Sequence, residues 1–168
     1  MDLARVDTII EAIILLIPAM VANASPVVFK GKTPIDRGAT FIDGKRLLGD
    51  GKTVEGFLAG LICGSLSSIP LAALVGTEML ATGPAASLGA LIGDLLGSFI
   101  KRRIGLKRGA PAPLLDQLDF YVGAVVATTL LGYSWSLTIL IVSGVIVALL
   151  HMGSNYLAYR MGLKSVPW

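Results

Sequence analysis

Cysteine is almost absent from this chain. Cys63 is the single one, which excludes an intrachain disulfide framework and leaves the redox compartment open. Charge is scarce as well, at 15 % of residues against 54 % hydrophobic. No polar stretch is long enough for a separate soluble domain, so one membrane-embedded domain over residues 1–168 is expected. The net charge of +3 does not indicate nucleic acid, because the cations flank apolar segments in the pattern that orients membrane proteins. What the chain does have is apolar runs that reach the roughly 20 residues a bilayer-spanning helix needs. The expected fold is all-α, an integral membrane protein of five transmembrane helices with two ordered cytoplasmic loops.

The first span is expected over 8–29, interrupted at Pro18 and ending in the polar group Asn23-Ala24-Ser25-Pro26. Ala22-Asn23-Ala24 resembles a signal-peptidase site, but the leader carries Asp2 and Asp7 against Arg5, and Glu11 enters the apolar run. A retained helix is therefore expected. Residues 30–53 form the longest polar segment, where five glycines and Pro34 forbid a long helix and predict an ordered, turn-rich loop. Further spans are expected over 54–75, 84–100, 118–131 and 135–156, with a short connection at 76–83 and a tight turn at 132–134. Five spans place the 30–53 loop, the 101–117 loop and the C-terminal tail on one face. Every Lys and Arg except Arg5 falls there, which makes that face cytoplasmic and puts the N-terminus outside.

Two glycine stripes recur at intervals of four, Gly56, Gly60 and Gly64 in the second span and Gly89, Gly93 and Gly97 in the third. Such stripes let helix backbones approach closely, either within one chain or across a homodimer.

Chemistry concentrates between residues 93 and 119. Asp94 precedes Lys101 by seven residues, about 10 Å of helical rise below the basic rim. An isolated carboxylate in hydrocarbon costs about 3 kcal/mol even on lenient scales, so it must face a wet cavity or a cation. Ser98, Lys101 and Arg102 follow at spacings that share its helix face, and a structural ion pair within the bundle is the plainer use of them. Asp116 and Asp119 lie three apart at the expected start of the fourth span, where helix-start carboxylates are also ordinary. Three carboxylates beside a cluster of cations suit Mg²⁺ and phosphate groups, with a nucleoside triphosphate as the guest.

The segment Arg46 to Thr53 is not a phosphate-binding P-loop, since the required first glycine falls on Arg46. Lys52 and Thr53 nonetheless stand at a helix start, which favours anions. His151 and Asn155, four apart near the end of the fifth span, read as interhelical hydrogen-bonding groups outside the site, and Cys63 reads as core.

The blocks Lys52-Thr53-Val54-Glu55-Gly56 to Gly60, and Gly93-Asp94 to Ser98, Lys101 and Arg102 followed by Asp116 and Asp119, resemble the membrane cytidylyltransferases. Pro34-Ile35-Asp36, Asp43-Gly44-Lys45-Arg46 and the run from Ala110 to Asp119 are similar to the short archaeal form of that superfamily. The resemblance covers nearly the whole chain. Two positions depart from the bacterial form: a His-Gly-Gly ahead of the paired aspartates is absent, and Arg108 replaces an aspartate.

The resemblance implies transfer of CMP from CTP to the phosphate of an unsaturated, geranylgeranylated archaeal ether lipid, with membrane lipids as surroundings and Mg²⁺ as cofactor. It implies Asp94 and Asp116 as metal ligands with Asp119 beside them. The catalytic set expected on this basis is Asp94, Lys101, Asp116 and Asp119. Lys45, Arg46, Lys52, Thr53, Glu55, Ser98 and Arg102 are expected to hold nucleotide and phosphate. A CDP-alcohol phosphotransferase is excluded because Phe120-Tyr121-Val122 follow Asp119 where that pattern needs glycine. The remaining alternative is a small multi-span transporter or channel with an intramembrane aspartate, against which stands the lack of an internal repeat.

Overall fold

The computed structural model describes residues 4–107 and 109–167; Asp2, Arg108 and Trp168 lie outside them. In chain order the elements are a short strand β1 (Ala4–Val6), helices α1 (Ile9–Val28), α2 (Val54–Val75), α3 (Met79–Arg103) and α4 (Leu115–Leu130), a strand β2 (Tyr133–Trp135), and helix α5 (Leu137–Arg160).

Local chemistry explains most of the boundaries. The Thr8 hydroxyl accepts from the Glu11 N–H at 3.1 Å while the Glu11 carboxylate accepts from the N–H groups of Thr8 and Asp7, a capping box that accounts for a glutamate at the start of an apolar helix. Thr53 caps α2 in the same way through the N–H of Gly56. The expected interruption at Pro18 does not occur: α1 runs through Pro18 and Pro26 because tight helix neighbours, among them Ser87 donating to the Pro18 carbonyl at 3.2 Å, hold it in place. Likewise α3 begins five residues before the expected 84, and Pro84 sits within its second turn. The connection expected over 76–83 shrinks accordingly.

The expected turn closes at Gly132, whose φ is 98° and whose N–H donates to the Thr129 carbonyl at 2.9 Å, while Tyr133 and Ser134 already belong to β2, which pairs in parallel with β1 through Ala4–Tyr133, Arg5–Ser134 and Val6–Trp135. Each strand leads directly into a helix, α1 or α5, so the parallel pairing makes those two helices enter the bundle from the same end. The polar loops lie at the other end. This small ribbon is an addition to the all-α architecture, and its three-residue strands are too short to show periodicity.

Four helices, α1, α2, α3 and α5, have the length and hydropathy of a membrane span. The 16 residues of α4 cover about 24 Å, less than a full hydrocarbon core. It nevertheless connects the loop end to the ribbon end. It starts three residues before the expected 118, directly after the irregular run 109–114 in which Ala112 is buried. Leu114 turns the chain at φ 68°, an uncommon conformation for a branched residue.

The core is built from small side chains: Ala19, Ala86, Ala90 and Ala124 surround Leu16, Phe120, Tyr121 and Val147. The glycine stripes settle how this is possible. A Cβ on Gly89 would meet the backbone of Gly123, and one on Gly93 or Gly97 would run into Asp119. Gly60 and Gly64 lie against Ala22 of α1. Both stripes are therefore used within one chain, α3 against α4 and α2 against α1. Outward-facing Ile62, Leu66 and Ile69 on α2 and Val145 and Leu149 on α5 are exposed, as lipid-facing positions are.

Candidate functional site

The loop over residues 30–53 is ordered by a buried carboxylate. Asp36 accepts from Arg46 Nε at 3.2 Å and Nη2 at 2.7 Å, and from the backbone N–H groups of Gly38, Leu48 and Gly49. The Arg46 guanidinium, followed by those N–H groups, holds the Asp36 carboxyl far below the usual carboxylate range despite burial. Pro34 bridges to Thr53 and Thr40 to Arg46, closing the loop on itself. The Glu55 carboxylate then clips its start, accepting from Thr33 Oγ1 at 2.7 Å and Thr33 N at 3.1 Å.

A second latch ties this loop to the end of α3. The Arg103 guanidinium pairs with Asp43, donates to the carbonyls of Lys45 and Arg46, and lies 5.0 Å from the Phe41 ring and 4.8 Å from that of Phe99. Lys45 Nζ returns a hydrogen bond to the Arg103 carbonyl at 2.7 Å. The loop is thereby held over the helix ends, and its tip delivers Lys52 inward.

Beneath it lies a cavity of about 350 Å³ lined by all of the following: Lys52, Thr53, Asp94, Ser98, Lys101, Arg102, Asp116 and Asp119. Eight of the eleven residues expected from sequence meet here. Lys45, Arg46 and Glu55 do not line it; they hold the loop, as described above. The distinction was invisible in sequence because charge alone carries no direction.

Within the cavity, Lys52 Nζ stands 2.5 Å from Asp94 Oδ2, and Lys101 Nζ 2.5 Å from Asp116 Oδ1. Both pairs are only partly screened, with side chains 17–24 % exposed. The sequence suggested a partner for Asp94 on its own helix; the cation comes instead from the loop tip before α2. Asp116 Oδ2 also accepts from the Ala112 N–H at 2.8 Å, which fixes the irregular run to the start of α4. Asp119 fits over the bare backbone of Gly93 and Gly97 and accepts from the Phe120 N–H at 2.7 Å, with no ion-pair partner among the described residues. Arg102 Nε is buried and, among the described residues, without a hydrogen-bond partner. An unoccupied cationic donor next to lysines held by exchangeable carboxylates is an arrangement suited to polyanions.

The donor set suits a hard cation, since three carboxylates and no thiol converge from α3 and α4, and the imidazole that lines the cavity, His151, comes from α5. Among the described residues no three such side chains are already gathered at ligand distance. The lysines engage two of the three instead.

Four polar lining residues were not legible in the sequence as part of the site. Asn23 of α1, His151 and Asn155 of α5, and Lys164 of the tail also line the cavity. The four-residue spacing of His151 and Asn155 was the available signal, but their helix could equally have been rotated to present them elsewhere.

Known proteins resemble the chain over nearly its whole length. Residues 5–168 match the model of the CarS-like family, CDP-archaeol synthase. The chain is similar to the CDP-archaeol synthase of Aeropyrum pernix, 54 % identical over 165 residues covering 98 % of this chain and 95 % of that one. It is also similar to that of Hyperthermus butylicus, 48 % identical over 168 residues, 99 % of this chain and the whole of the other. A solved structure of an intramembrane enzyme for archaeal membrane lipids biosynthesis superposes with a TM-score of 0.87 at 52 % identity, covering 90 % of this chain and 96 % of that chain.

Proposed function

The chain belongs to the CDP-archaeol synthase family, and on that premise we propose how its cavity carries out formation of CDP-archaeol from CTP and an archaeal lipid phosphate. The observation that carries the assignment of residues is the convergence of Asp94, Asp116 and Asp119 with Lys52, Lys101 and Arg102 around one cavity at the loop end.

The reaction joins two anions. An oxygen of the lipid phosphate attacks the α-phosphorus of CTP, a new P–O bond forms, the α–β bridging bond breaks, and pyrophosphate leaves with the electron pair. A phosphate monoester is already a competent nucleophile, so positioning and charge neutralisation supply the catalysis. Lys52, Lys101 and Arg102 hold the triphosphate. An incoming phosphate competes with Asp94 for Lys52 and with Asp116 for Lys101, so nucleotide binding releases the carboxylates that the resting pairs occupy. Ser98 and Thr53 donate hydroxyl hydrogen bonds. Asp94, Asp116 and Asp119 would hold Mg²⁺, which supplies neutralisation of the triphosphate and of the leaving pyrophosphate. Lys45, Arg46 and Glu55 act indirectly, by keeping the loop in place.

The loop end faces the cytoplasm, because the described Lys and Arg residues other than Arg5 gather there, and the ribbon end faces outward. In that reading α4 completes a five-span topology despite its length, with the irregular run 109–114 tolerated at depth because it borders a polar cavity. The lipid is a geranylgeranylated glycerol phosphate whose chains lie among the exposed apolar side chains of the bundle. Purified protein in lipid nanodiscs should convert radiolabelled CTP and that lipid to labelled CDP-lipid in the presence of magnesium. Transfer that persists in magnesium-free chelator would overturn the metal assignment, and no transfer to any geranylgeranylated acceptor would overturn the substrate.

A further inference from the structure

The loop over 30–53 straddles the end of α3. Lys52 reaches Asp94 on the cavity side of that helix, while Phe41 packs on Phe99, with ring centroids 5.3 Å apart and an angle of 88° between the rings. Spacing shows which side the second contact occupies. Leu88, Ile92, Leu96, Phe99 and Arg103 follow one another at intervals of four, four, three and four, which puts them on one face of α3. Leu88, Ile92 and Leu96 are 41, 45 and 57 % exposed, as lipid-facing positions are. Asp94 and Lys101, which line the cavity, each stand two residues from members of this stripe and so about 200° around the helix.

The segment seated on this stripe is a small hairpin. Thr40 bridges to Arg46, the Phe41 N–H donates to the Lys45 carbonyl at 2.8 Å, and the Gly44 N–H donates to the Phe41 carbonyl at 2.9 Å, with Gly44 at φ 74°. Its two tip residues are Ile42 and Asp43. Asp43 is turned onto α3 by its pairing with Arg103, which leaves Ile42 pointing away, 94 % exposed. Turn tips ordinarily carry Gly, Pro, Asn, Asp or Ser, each for a backbone reason that an isoleucine does not serve. Phe41 beside it is 40 % exposed even with Phe99 against it.

We propose that Phe41 and Ile42 are inserted into the bilayer interface and anchor this hairpin to lipid beside the end of α3. Continuity with the lipid-facing stripe identifies the occupant. Leu96 lies only three residues, about 4.5 Å of rise, from Phe99, so lipid that covers the stripe reaches the ring on which Phe41 rests. Arg103 closes the stripe as an interfacial residue does, its stem along the apolar face and its guanidinium held by Asp43 and the loop carbonyls. Lipid thus holds the loop on one side of α3 while Lys52 bears on the other. The inference depends on the bundle spanning a membrane and is independent of the chemistry in the cavity.

The test measures depth in lipid nanodiscs. Cys63→Ser removes the sole cysteine, and Ile42→Cys or Leu96→Cys then takes a nitroxide label, with unchanged thermal unfolding showing that each protein is folded. Collisions with a water-soluble nickel chelate should be at least about threefold rarer at position 42 than for a lipid labelled on its headgroup, the depth of a segment seated about 5–10 Å into the headgroup boundary. The label at position 96 should read deeper still. In an unlabelled arm, Ile42→Ser should speed amide exchange at Gly44 about tenfold, the loss of one buried aliphatic side chain. Nickel access at position 42 as high as at the headgroup label, a shallower reading at 96 than at 42, or exchange at Gly44 equal to wild type would overturn the anchor. Dipolar broadening between labels at position 42 that disappears on dilution with unlabelled protein would place a second copy of the chain on the hairpin and overturn the lipid assignment.

Discussion

The two ends of the bundle satisfy their polar groups in different ways. At the ribbon end the bonds close backbone groups or join neutral side chains: Thr8 and Glu11 cap the start of α1, β1 pairs with β2, and Thr82 Oγ1 lies 3.2 Å from the Tyr133 hydroxyl. At the loop end the bonds pair opposite charges carried by different elements, Lys52 with Asp94, Lys101 with Asp116 and Arg103 with Asp43. The first kind closes a helix end and asks nothing of a ligand. Half-buried pairs of the second kind carry desolvation that their mutual attraction only partly offsets, so a polyanion or a cation can take one partner away. The lesson is that the loop end is built for exchange and the ribbon end for closure.

The sharpest way to break this comparison is to remove an exchangeable carboxylate. Asp94→Asn or Asp116→Asn should lower kcat at least about a hundredfold while the melting temperature stays near wild type, as followed by product formation and by thermal unfolding in detergent. A smaller effect, about tenfold to a hundredfold on kcat, is expected for Gly97→Ala. The added methyl would collide with the Asp119 carboxylate and displace it without changing any charge. A structure of that variant should show Asp119 moved.

Asp36→Asn tests the loop rather than the chemistry. It removes the charge that organises Arg46 and three backbone N–H groups and should cost about 2 kcal/mol of loop stability, read as faster amide exchange at Leu48 and Gly49. The sign of its pH dependence follows from the depressed carboxyl. Its contribution is fully present above the ordinary value of 3.8 and is lost only as pH falls towards and through the lower folded value. Exchange at Leu48 should therefore be protected down to about pH 4 in the wild type and lack this acid transition in the variant. At the opposite end, Tyr133→Phe loses only the contact with Thr82. A stability loss of about 1 kcal/mol with turnover within about twofold of wild type is expected.

The legible parts of this molecule were those with local causes. The α2 boundaries follow from Thr53 as a cap and Gly76 as a stop, and the structure places them where sequence did. The glycine stripes announced close helix contacts, but only coordinates show that Gly97 makes room for Asp119 rather than for a second chain. Pro18 and Pro84 misled because a proline's lost hydrogen bond is tolerated where neighbouring helices support the backbone. In the site, Asp94, Asp116 and Asp119 were identifiable because a carboxylate in an apolar segment needs a reason. Lys45, Arg46 and Glu55 looked equivalent to Lys52 in sequence, and they differ only in which way a folded loop turns them. His151, Asn155 and Lys164 were unreadable because the rotation of α5 and the return of the tail are set by packing.

The most direct test of the exchange account is a structure with magnesium and CTP bound. Lys52 and Lys101 should then contact phosphate oxygens, with each ammonium more than about 4 Å from Asp94 and Asp116, beyond ion-pair distance. Nucleotide seated in the cavity with both lysine–aspartate pairs still closed would contradict it.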